Sequence, residues 1–82
     1  MSLPNNKLTK LPNSIGNLKN LTVINVSGNY IEYIPETIKE LDSSNGGSLE
    51  YFSYSSNHLS NELVSNLKEW LPNVIINEFK GL

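Results

Sequence analysis

Residues 21–41 read Leu21-x-x-Ile24-x-Val26-x-x-Asn29-x-Ile31-x-x-Ile34-Pro35-x-x-Ile38-x-x-Leu41. Ile24 and Val26 are apolar at a spacing of two, the pattern of a short strand that buries every second side chain. The chain must then turn sharply, and Asn29 is placed to do it. Pro35 follows Ile34; its ring removes a backbone donor and so ends extended pairing. Ile34, Ile38 and Leu41 are three or four apart, so the chain is expected to return through one irregular or helical turn.

The same pattern occurs on both sides. Leu49-x-x-Phe52-x-Tyr54-x-x-Asn57-x-Leu59 matches its first half, and Leu3-x-x-Asn6-x-Leu8-x-x-Leu11-Pro12-x-x-Ile15-x-x-Leu18 matches its second. Asn29 lies 23 residues after Asn6, and Asn57 lies 28 after Asn29. Self-similarity at such a period marks stacked repeats. The residues resemble the leucine-rich repeat family, in particular its variety of about 23 residues with an LPxxIxxLxxL second half. The resemblance implies an α/β fold: a short leucine-rich-repeat solenoid of about three coils, a parallel concave sheet, an irregular or helical convex side and a C-terminal helix. It also implies that Asn6, Asn29 and Asn57 point inward as a structural ladder, their amides bonding the backbone of neighbouring coils.

One domain over residues 1–82 is expected, with 1–20 a partial repeat and 21–48 a repeat whose segment 42–48 is a flexible insertion. That segment, Asp42-Ser43-Ser44-Asn45-Gly46-Gly47-Ser48, is the one low-complexity stretch and accounts for the five extra residues between Asn29 and Asn57. Residues 49–73 form a repeat in which no Leu-Pro pair follows the turn. Instead Ser60 is placed to cap a helix over about 61–70, with Leu63, Val64, Leu67, Trp70 and Leu71 at helical spacing and Pro72 stopping it. Residues 74–82 supply a terminal strand or cap in either of two registers: Asn77 falls where the repeat wants Leu, and a slip of one residue turns Ile75 and Phe79 inward. At the other end Leu3 already sits at the third core position, so Leu3, Leu8 and Leu11 are expected to form an uncapped edge. That expectation has two explanations, a fragment of a longer repeat protein or self-association through the edge.

Composition narrows the function. Leu, Ile, Val and Phe make 25 of 82 residues, while 13 Asn and 11 Ser supply most of the polarity. Six scattered Lys, no Arg and a net charge of −2 offer no footprint for a nucleic-acid backbone. There is no apolar run approaching a membrane span and no secretory-type N-terminal stretch, so neither membrane nor secretion is expected. The absence of Cys excludes a disulfide frame and thiol chemistry, and a cytoplasmic setting is expected.

Chemistry has few candidates. His58 is the one histidine, and a hydrolase triad built on it with a serine and an acid is a remote alternative, because repeat loops offer no deep pocket. Glu32, Glu36 and Glu40 recur every four residues near Lys39 and read as a solvated face; no metal and no cofactor are expected. Pleat geometry instead places the partner-binding surface. If Ile24 and Val26 face the core, Val23, Asn25 and Ser27 face the concave side, and Tyr51, Ser53 and Ser55 are their counterparts in the next coil. Tyr51 is the strongest contact candidate, because an aromatic gives a large amphipathic contact at low entropic cost. Tyr30 and Tyr33 point outward as a possible second patch. The expected function is a non-catalytic scaffold or regulatory module that holds a protein partner. The alternative is an assembly unit that stacks through Leu3, Leu8 and Leu11.

Overall fold

The strands are only three residues long, because each alternation is cut short by its turn. In the computed structural model, which describes residues 1–77, they are β1 (Val23–Asn25), β2 (Tyr51–Ser53) and β3 (Ile75–Asn77). They form one parallel sheet in the order β1-β2-β3. Residues 1–5 extend it on the β1 side through a parallel bridge between Ser2 and Asn25, with Leu3 N–H donating to Asn25 O at 2.8 Å. A ten-residue helix, α1 (Asn61–Trp70), completes an α/β arrangement. Its first turn is capped by the Ser60 hydroxyl, which accepts from Leu63 N–H at 3.1 Å.

The Pro-x-x-Ile spacing becomes a 3-10 turn. Pro12 and Pro35 hold extended backbone, and their carbonyls accept from Ile15 and Ile38 N–H at 3.0 and 3.1 Å, three residues on. The turns Asn13–Asn17 and Glu36–Leu41 therefore drive Ile15 and Ile38 into the core. The two turns pack side by side, with Thr37 Oγ1 donating to Asn13 O at 2.7 Å. Gly16 permits that approach, since a Cβ there would lie 2.5 Å from Thr37 O.

The core is a continuous ladder that includes Leu11, Ile34, Phe52 and Leu67, with Ile24, Val26, Ile31, Ile38 and Leu41 wholly buried. The asparagines tie its turns together. Asn29 accepts from Leu8 N–H at 3.1 Å and donates to the carbonyls of Leu3 and Val26 at 2.8 Å each. Asn57 repeats this one step along, accepting from Ile31 N–H at 2.8 Å and donating to Val26 O at 2.9 Å and Tyr54 O at 2.8 Å. Each asparagine thus bonds the residue two past its counterpart, always toward the N-terminal side.

That polarity corrects the expectation for Asn6. Among the described residues no strand lies on its N-terminal side, and its amide reaches only the Pro4 carbonyl at 3.1 Å. The residue before each of the three asparagines takes left-handed backbone: Asn5 at φ 57°, Gly28 at 74° and Ser56 at 59°. Gly and Asn tolerate that region readily; Ser does so at a cost.

Segment 42–48 differs from the expected solvated loop. Ser43–Asn45 is a third 3-10 turn, and Asp42 before it is fully buried. The Asp42 carboxylate accepts from Ser44 N–H at 2.9 Å and Ser44 Oγ at 2.6 Å, and from Asn73 N–H and Nδ2 at 2.9 Å each. A residue of the low-complexity stretch thereby staples it to the turn after α1. Burial pushes the carboxyl up, but the bonds from Ser44 and Asn73 outweigh it and hold it at about 2.

Candidate functional site

Ile24 and Phe52 face the core with no exposed surface, so the alternate residues of β1 and β2 face outward on the sheet. Register aligns them into rows. Val23, Tyr51 and Ile75 form one row, and Asn25 and Ser53 form the next, with Ser2 bridged beside Asn25. Ser27 and Ser55 lie just beyond the strands, joined where Gly28 N–H donates to Ser55 O at 2.9 Å.

The first row is the open one. Val23 is 43% and Ile75 68% exposed, with half-buried Tyr51 between them. Ser53 and Ser55 are only 9% exposed each, so these two candidates contribute little contact area. Small side chains between strands about 4.8 Å apart are covered by their neighbours. The Asn25 side-chain Oδ1 accepts from both Ser27 N–H and Ser27 Oγ, and Ser27 Oγ lies 3.5 Å from Ser53 Oγ. The second row is thus a local polar network beside an apolar strip.

Ile75 is the exposed apolar residue of this face that the sequence left unassigned. Pairing of Phe52 with Ile76 selects the register: Ile76 packs on the core and Ile75 turns outward. The discriminating signal lies just before the strand, where Leu71 and Val74 are both core residues and set the phase. Phe79 lies outside the described residues.

The other candidates are spread elsewhere. His58 is exposed and stacks on Tyr30, ring centroids 5.8 Å apart and 13° from parallel. Among the described residues no hydrogen bond or ion pair joins its side chain to a carboxylate, so no triad is assembled there. Tyr30 and Tyr33 are 52% and 53% exposed at the rim. Glu36 pairs with Lys39 at 2.9 Å and Glu40 with Lys19 at 3.2 Å. Among the described residues no group of three or more His, Asp or Glu side chains is placed to hold a metal ion, and no helix is long and apolar enough to cross a membrane.

The family model described as Leucine Rich Repeat matches residues 20–41, which contain β1, the Asn29 turn and the Glu36–Leu41 turn. The chain carries a leucine-rich repeat. No curated protein matches it. Within the matched leucine-rich repeat, Ile24, Val26, Ile31, Ile34, Ile38 and Leu41 are the buried positions, and Val23 opens onto the sheet face. Tyr51 and Ile75 continue that face outside the matched stretch.

Proposed function

We propose that the chain is a short leucine-rich-repeat solenoid of about three coils that binds a protein partner on its concave sheet face and performs no catalysis itself. The coils divide as 1–20, 21–48 and 49–73, with 74–82 as the terminal unit. Leucine-rich repeats commonly mediate protein–protein interaction. The observation that carries the reading here is the open apolar row Val23–Tyr51–Ile75 beside the polar pair Asn25 and Ser27. Aliphatic and aromatic anchors bordered by hydrogen-bonding groups suit a protein surface, whereas chemistry would need converging ionisable groups.

The face is narrow, about 10 Å across three strands. A standard interface covers about 800 Å² per partner. Rim residues must therefore join in, and Tyr30 and Tyr33 are the exposed aromatics available.

Affinity capture with Val23→Glu, Ile75→Glu and a control, Glu36→Ala on the side remote from the sheet face, tests the reading. A buried charge at an interface anchor is expected to weaken recovery of a specific partner by about 30-fold or more. The control should retain it. Equal recovery with all three proteins contradicts the concave site.

A further inference from the structure

We infer that the N-terminal edge of the sheet is a docking surface for a second copy of this chain, stacked head to tail. The edge carries an open groove of about 380 Å³ whose lining includes Leu3, Leu8, Leu11, Ile15 and Leu18, with Lys10 among them. Leu3 and Leu18 are 40% and 46% exposed. These are the positions that, one repeat along, are the closed positions Val26, Ile31, Ile34, Ile38 and Leu41, four of them with no exposed surface and Ile34 with 1%. The groove is therefore already shaped for a repeat of the same kind.

The backbone at this edge is also poised. Met1, Leu3 and Asn5 spend their groups on β1, with Asn25 N–H donating to Met1 O and Asn5 N–H to Ser27 O, both at 2.9 Å. By strand alternation the N–H and carbonyl of Ser2 face away from β1. Pro4 withholds one donor, so apolar contact and charge must carry much of the docking.

Charge selects the occupant and its direction. On the N-terminal side Lys7 and Lys10 are exposed with no carboxylate in residues 1–31, whereas residues 49–77 expose Glu50, Glu62 and Glu69 against Lys68 alone. The two ends have opposite sign. Two N-terminal edges brought together would oppose like charges, while an N-terminal edge set on the β3 end of another copy opposes unlike ones. Such a contact is heterologous, so it propagates beyond a dimer unless the rotation closes a ring.

Sedimentation velocity of the purified chain from about 10 μM to about 1 mM tests this. Association is expected to continue past the dimer and to weaken between about 50 mM and about 500 mM salt. Leu3→Glu, with its fold checked by circular dichroism, should be monomeric alone. Fluorescently labelled, it should still join wild-type assemblies, because its β3 end is intact. Lys10→Glu, at an exposed position, is expected to weaken association roughly fivefold without affecting the core. A monomer across the whole range overturns the proposal. So does a closed dimer strengthened by salt, or exclusion of labelled Leu3→Glu from wild-type assemblies.

Discussion

Asp42 offers the sharpest test of how the fold is held together. Replacing it with Ala removes a fully buried carboxylate that accepts four hydrogen bonds, two from Ser44 and two from Asn73. Bonds to a charged group are worth about 1.5–3 kcal/mol each when buried. Ser44 and Asn73 are themselves exposed, so water recovers part of the loss. The net cost is about 2–4 kcal/mol, a large share of the roughly 4–12 kcal/mol that a chain of this size commands. Thermal unfolding followed by circular dichroism should show Tm lower by about 10–25 °C.

Acid supplies a second arm. The Asp42 carboxyl titrates at about 2 when folded against an ordinary value of 3.8. Its folded value is the lower, so its stabilisation is present above the unfolded value and disappears as pH falls from about 4 towards 2. That difference comes to about 2 kcal/mol at about 1.4 kcal/mol per unit. The gap between wild type and Asp42→Ala should therefore narrow by about 2 kcal/mol between pH 6 and pH 2. An unchanged Tm in the variant, or a gap independent of pH, would refute the staple.

Three further outcomes follow from the same geometry. Asn57→Ala should cost about 2–3 kcal/mol in urea unfolding, since it leaves Ile31 N–H without its acceptor, whereas Asn6→Ala should cost under about 0.5 kcal/mol. Ser56→Gly relieves left-handed backbone at a non-glycine residue and should stabilise by about 0.5–1 kcal/mol, read as a raised urea midpoint. Ile75→Glu should leave the chain folded by circular dichroism, while Ile76→Glu, which drives a charge against the core, should cost about 3 kcal/mol or more; the reverse order would mean the other register.

What could be read from residue types were the features with local causes. Ile24 and Val26 announce a buried face by period two, Pro35 and Ile38 share the spacing of one 3-10 hydrogen bond, and Ser60 caps the helix it precedes. Features that depend on direction or on distant partners were hidden. The ladder runs toward the N-terminal side, which makes Asn6 different from Asn29 and Asn57 despite identical spacing. Asp42 sits in a stretch whose Ser, Asn and Gly read as solvated, and nothing near it announces Asn73, 31 residues on. Ile75 and Ile76 are chemically identical, so only pairing with Phe52 decides which faces outward on the sheet. Ser53 and Ser55 have the expected phase but little exposure, because phase sets direction and neighbours set accessibility.

The central claim, that a protein partner seats on the outward row of the parallel sheet, is tested most directly by site-specific photo-crosslinking. A photoreactive residue is placed in turn at Val23, at Ile75 and at Lys39, which is paired with Glu36 in the turn remote from the face. Adducts to one and the same protein are expected from positions 23 and 75 and none from 39. Adducts formed from 39 alone, or equally from all three positions, would contradict it.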